Sequence, residues 1–127
     1  MKKPYDLGFH PPAPALPVTV HGPHGARARV TAKIDTAADV SGLPREVVEQ
    51  LGLLPTRRVR TSSWRGEPTE ARLHRGDLSL AGRKFADVEW LPIARPYALL
   101  GRDILNELAL FLDGPGLTIE VRRRARR

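Results

Sequence analysis

The sequence predicts an all-β protein, or nearly so, with two short helices and two related halves. Three observations lead there. Charged and apolar residues alternate along residues 26–34, the period of a half-buried strand. Clusters of glycine and proline at 21–25, 64–68 and 114–116 cut the chain into hairpin-length pieces. A strand, polar loop and helix pattern at 30–51 recurs in compressed form at 97–110. With 127 residues there is room for one domain.

Residues 1–15 hold Pro4, Pro11, Pro12 and Pro14 with little apolar periodicity, and read as a flexible, proline-rich arm before a body at 16–121. Leu16-Pro17-Val18-Thr19-Val20 is a short strand, 21–25 a turn, and 26–34 the returning strand of a hairpin. Pro44 opens a short helix ending at Leu51, and Gly52 follows it, the usual asymmetry of proline at the start and glycine past the end. A β-meander comes next, with strands at 57–63 and 69–80 around a glycine- and proline-bearing tip, then 84–91 after the Ala81-Gly82 turn. Tyr97-Ala98-Leu99-Leu100 is continuously apolar, as a strand buried on both faces is. Ile104, Leu105 and Leu108 fall at helical spacing and predict a helix over 102–110. Residues 110–113 and 117–121 close the body as a last hairpin.

The formal net charge of +7 sits at the chain ends. Lys2 and Lys3, with Arg122, Arg123, Arg124, Arg126 and Arg127 of an arginine-rich tail at 122–127, supply all of it, and 4–121 is neutral. A domain that grips a phosphate backbone carries its basic stripe on the fold. No aromatic residue stands among these arginines to stack on bases, so nucleic acid is set aside as a partner and the tail reads as solubilising. No apolar run approaches the ~20 residues that span a bilayer, so no membrane role is expected. Cysteine is absent, which excludes a disulfide framework and a cysteine nucleophile. With no apolar h-region after Met1-Lys2-Lys3, the expected location is cytoplasmic. His21 and His24 form an H-x-x-H in a turn without a nearby third ligand, so neither metal nor cofactor is expected.

Chemistry concentrates in Ala32-Lys33-Ile34-Asp35-Thr36-Ala37-Ala38-Asp39-Val40-Ser41-Gly42-Leu43-Pro44. A carboxylate directly after an apolar strand, followed by a hydroxyl and two small residues, can be held by backbone N–H groups while another segment comes close. Together with Leu99-Leu100-Gly101-Arg102-Asp103, this stretch resembles the aspartic-peptidase pattern: a hydrophobic strand, Asp-Thr-Gly-Ala, a later Leu-Pro and a downstream apolar-apolar-Gly segment. The spacing, with a hairpin between, is similar to that of the single-domain retroviral proteases (retropepsins) and their bacterial relatives, over 16–121.

That resemblance implies a retropepsin-like acid-protease half-barrel with a flap hairpin, in which Asp35 is catalytic. Such chemistry needs two carboxylates sharing a proton. Since no other Asp or Glu is followed by Thr or Ser and a small residue, the partner carboxylate is expected from a second copy, giving a homodimer acting on a peptide or protein substrate. The resemblance also implies that Thr36 bonds across the dimer, that the Ala37 N–H supports the carboxylates, and that Ala38 allows close approach. Leu100 and Gly101 would cross behind the loop, and Asp39 would pair with Arg102. Ser63, Trp64, Arg65, Gly66 and Glu67 would form the flap over the substrate. Two departures stand out. The family has glycine where this chain has Ala37, and a left-handed φ there would strain alanine. Lys33 replaces an apolar residue and is expected to point outward. A non-catalytic dimeric module of the same fold, binding peptide or, through its tail, a polyanion, is the alternative reading.

Overall fold

The computed structural model describes residues 1–62 and 66–122. The strands are β1 (Lys2–Pro4), β2 (Ala15–His21), β3 (Arg27–Ile34), β4 (Gly42–Pro44), β5 (Leu54–Thr61), β6 (Thr69–Leu80), β7 (Arg83–Ile93), β8 (Ala98–Leu100), β9 (Ala109–Asp113) and β10 (Thr118–Arg122). Two helices, α1 (Arg45–Leu51) and α2 (Arg102–Leu105), interrupt them. One sheet runs β2-β3-β8-β4-β7-β6-β5, and β2 also pairs with β6, so it closes on itself as a barrel with β5 hanging outside on β6. Closure follows from the alternation. Leu16, Val18 and Val20 of β2, with Leu78 and Leu80 of β6 and Phe85, Val88 and Trp90 of β7, form the core, a register shift between Gly76 and Leu78 bringing both Phe85 and Val88 inward. Trp90 is wholly enclosed, and its indole N–H donates to the Gly76 carbonyl at 3.0 Å, so the largest core side chain leaves no polar atom unmatched.

Strands β3 and β8 pair in parallel, Ala32 opposite Ala98 and Ile34 opposite Leu100, while β4 runs parallel to β7 and meets β8 at Gly42 and Leu99. The two related halves of the sequence therefore lie side by side. The loops leaving β3 and β8 emerge at the same level of the barrel.

Three expectations need correction. The helix predicted over 102–110 is a single turn. After Leu105 the chain tightens into i→i+3 bonds, Glu107 N–H to the Ile104 carbonyl and Leu108 N–H to the Leu105 carbonyl, before β9 begins at Ala109. One turn already buries Ile104 and Leu105, which meets the demand of the helical spacing. Pro44 ends the short β4 rather than opening the helix, although α1 does end on Gly52 with φ +63°. The proline-rich arm is paired: β1 joins β10 and β9 in a second, three-stranded sheet, and Asp6 bridges Ala13. Partners so remote in sequence leave no local periodicity to read.

The β6–β7 hairpin turns through Ala81 (φ +49°) and Gly82 (φ +76°) between paired Leu80 and Arg83. Both central residues are left-handed, as a type I′ turn demands, and alanine is poorly suited to the first. Ala81→Asn is expected to raise stability by about 0.5–1 kcal/mol, read as a higher urea midpoint. A lower midpoint would count against this turn assignment.

Two carboxylates of the barrel titrate low. The Asp87 N–H donates to Asp77 at 2.9 Å, with Lys84 3.6 Å away, and holds the Asp77 carboxyl below its ordinary range. The Thr56 hydroxyl at 2.8 Å, reinforced by Arg57, does the same for Glu89. Folded-state values below the unfolded ones mean stability that is complete above the ordinary carboxylate pKa and is lost as pH falls through the folded values. The urea midpoint should hold from neutrality to about pH 5 and fall progressively below about pH 4. In Asp77→Asn that fall should be shallower, and an equally steep fall would contradict the assignment.

Candidate active site

Asp35 is the first residue past β3, and one further ladder bond carries the sheet to it, its N–H donating to the Leu100 carbonyl at 3.0 Å. The chain then folds over itself. Ala38 N–H donates to the Asp35 carbonyl at 3.2 Å, and Ala37 N–H donates to the carboxylate Oδ1 at 3.1 Å. Among the described residues Oδ2 accepts no hydrogen bond, and the neighbouring Thr36 and Ala37 are exposed. A carboxylate with one oxygen free of such bonds thus stands on a loop whose backbone is fixed. Ala37 is not among the non-glycine residues with left-handed φ, so the conformational objection to alanine at this position falls away.

Two braces hold the loop from below. The first is Gly101-Arg102, which leaves β8 directly beneath it. A Cβ on Gly101 would stand 2.8 Å from the Ala38 carbonyl oxygen and 3.0 Å from the Val40 carbonyl carbon, so only glycine permits this approach. Arg102 donates its N–H to the Ala38 carbonyl at 2.8 Å, and its guanidinium reaches the Thr36 carbonyl at 2.8 Å while also pairing with Asp39. Asp39 is 80% exposed and Arg102 45% exposed, so the ion pair itself adds little. Its contribution is geometric, tying both ends of Thr36-Ala37-Ala38-Asp39 to one planar group.

The second brace was not anticipated from sequence. Ser41 is completely buried, its hydroxyl donating to Asp103 Oδ1 at 2.7 Å and accepting the Gly101 N–H at 3.0 Å. The other carboxylate oxygen of Asp103 accepts the Ser41 N–H at 3.1 Å. These residues stitch the exit of the Asp35 loop to the start of α2. The signal available was faint: a serine after a run of loop residues and an acid after Gly-Arg.

The structure brings Asp35, Thr36, Ala37, Ala38, Asp39, Leu100, Gly101 and Arg102 into one pair of interlocked loops. The proposed flap splits differently. Ser63, Trp64 and Arg65 lie outside the described residues, whereas Gly66 and Glu67 are exposed between β5 and β6, away from these loops in the chain's hydrogen bonding. An open concavity of about 540 Å³ borders the outer side of the braces, lined by Asp39, Val40, Arg57, Phe85, Glu89 and Ile104; Asp35 does not line it.

The sequence profile of the aspartyl protease family matches residues 16–104. The chain belongs to that family. The match spans the barrel from β2 through both loops to α2, so the matched segment includes Asp35 and both braces. Solved structures agree on the fold. The simian foamy virus (mac) protease superposes with a TM-score of 0.57 at 18% identity, covering 73% of this chain and 92% of that one. The EIAV protease, in complex with the inhibitor HBY-793, gives 0.55 at 23% identity over 75% and 86% of the two chains. A retropepsin-like aspartic protease from Rickettsia conorii gives 0.55 at 18% identity over 82% and 87%. No sequence among curated proteins matches the chain. Family and fold together support a protease-type function on a retropepsin-like scaffold.

Proposed function

We propose that this member of the aspartyl protease family is an endopeptidase that works as a homodimer, with one Asp35 from each subunit. The observation that carries the reading is the state of the carboxylates in the interlocked loops. Asp39 is committed to Arg102 and Asp103 to Ser41, while among the described residues Asp35 accepts one backbone hydrogen bond on Oδ1 and none on Oδ2. A lone carboxylate so placed has no proton-sharing partner among the described residues of its own chain. A two-fold axis beside the loop would supply one.

Two carboxylates about 3 Å apart cannot both ionise, so one keeps a proton. The ionised Asp35 takes a proton from a water between them, and the water oxygen bonds to the scissile carbonyl carbon. The protonated partner donates to the carbonyl oxygen as charge develops there. Return of a proton to the amide nitrogen breaks the carbon–nitrogen bond and leaves a carboxylic acid and an amine. In this scheme Thr36, exposed at the loop surface, bonds across the axis, and the tip between β5 and β6 covers the bound peptide.

The test is incubation with a mixed peptide library over a range of pH, beside Asp35→Asn. Cleavage by the wild type alone, with a maximum below neutrality where one carboxyl of the pair is protonated, supports the reading. Equal cleavage by both proteins, or none at any pH, refutes it.

A further inference from the structure

Lys33 does not point away into solvent as strand alternation alone suggested. It is half-buried, with its Nζ 4.8 Å from the centre of the Phe9 ring and 5.9 Å from that of Tyr97. The two rings meet edge-on at 4.8 Å and 82°. Phe9 comes from the arm, which folds back through the Asp6–Ala13 bridge and is fastened to β3 where Ile34 N–H donates to the Pro14 carbonyl at 3.1 Å. Tyr97 immediately precedes β8. Rings contributed by two distant segments therefore orient a single ammonium group, an arrangement that favours a cation held partly out of water. Among the described residues no carboxylate forms a salt bridge with Lys33, so its charge is available to a ligand.

The position of that charge matters. The ladder from β3 extends through Asp35, so Lys33 and Asp35, two residues apart, project from the same face of the sheet, and Leu99 lies opposite Lys33 on the neighbouring strand. Their Cα atoms are about 6.6 Å apart along the strand. A peptide whose scissile carbonyl sits over Asp35 carries its adjoining side chain about one residue, some 3.3 Å, along its own backbone. A lysine spans that gap easily.

We propose that Lys33 makes this site selective for peptides with an aspartate or glutamate next to the scissile bond. The proposal rests on the peptidase reading above. In a two-fold dimer each flank of the bond meets one Lys33, so either flanking residue can carry the acid. Without a cation there, the catalytic carboxylates would repel an acidic side chain. Lys33 reverses that sign, and the Phe9 and Tyr97 rings keep the ammonium in place before substrate arrives.

The experiment uses non-cleavable peptides with a hydroxyethylene group in place of the scissile amide, with Glu, Leu or Lys at the flanking position. Dissociation constants are read by fluorescence anisotropy for wild type, Lys33→Met and Lys33→Arg. Wild type should bind the Glu peptide about tenfold more tightly than the Leu peptide, and the Lys peptide weakest. Lys33→Met should lose or invert that order and Lys33→Arg should keep it. An unchanged order in Lys33→Met, equal binding of Glu and Leu peptides by wild type, or no binding of any peptide overturns the proposal. Binding requires no turnover, so the two readings separate. Acid-selective binding without cleavage of the matching amide peptides would sink the peptidase reading alone, and cleavage without acidic preference would sink the selectivity alone.

Discussion

Asp35→Asn is expected to remove peptide hydrolysis almost completely while leaving the fold and its stability close to those of the wild type. The substitution keeps size and shape. Among the described residues the carboxylate accepts one hydrogen bond, from the Ala37 N–H at 3.1 Å, and an amide oxygen can still accept it. The backbone bonds from Asp35 to Leu100 and from Ala38 to Asp35 involve no side chain. What disappears, under the proposed mechanism, is the group that takes a proton from water. General-base contributions run to about 10²–10⁴-fold, and here the same change also removes the shared proton, so a fall of at least roughly 10³ is expected. Initial rates on a cleaved library peptide, together with thermal unfolding of both proteins, check it. Retained activity would contradict the assignment of Asp35, and loss of both activity and folding would assign it a structural role instead.

Gly101→Ala carries the second large effect, through the frame rather than the chemistry. The added methyl would stand 2.8 Å from the Ala38 carbonyl oxygen and 3.0–3.1 Å from the carbonyl of Val40, both backbone atoms of the Asp35 loop. Neither can swing aside as a flexible side chain would. The loop must move instead, straining the bonds from Arg102 and Ser41 that hold it. Overpacking of this kind destabilises by about 1–3 kcal/mol, and a displacement of the catalytic group by even ~1 Å can lower the rate about 100-fold. Gly114→Ala is the control, because nothing lies within 4 Å of its Cβ position. Urea midpoints and rates for both variants decide the matter. A Gly101→Ala protein as stable and active as Gly114→Ala would show that the two loops are not interlocked as described.

Much of this was legible in the chain because the governing interactions are local or periodic. Alternation through 26–34 delivers Asp35 at the end of a strand, and Leu99-Leu100-Gly101 announces a buried strand ending in a residue without a side chain. What escaped depends on contacts between segments far apart. Ser41 and Asp103 are 62 positions apart, and neither residue type at its own place says that they meet. Lys33 reads as an outward charge until Phe9 and Tyr97, distant from it in sequence on either side, stand beside its ammonium group. The arm's prolines hide a strand whose register is set by β10. At α2 the error ran the other way: the apolar spacing was real, but one helical turn sufficed to bury it.

The central claim is that one chain holds half of a catalytic site, and subunit mixing tests it most directly. Wild type and Asp35→Asn are combined at fixed total protein, allowed to exchange, and assayed on a cleaved peptide as the fraction of wild type varies. If each site needs two Asp35 carboxylates, activity follows the square of the wild-type fraction, falling to about one quarter at an equal mixture. A linear decline, with about one half of the activity left at that point, would mean that each chain cleaves by itself and would contradict the account.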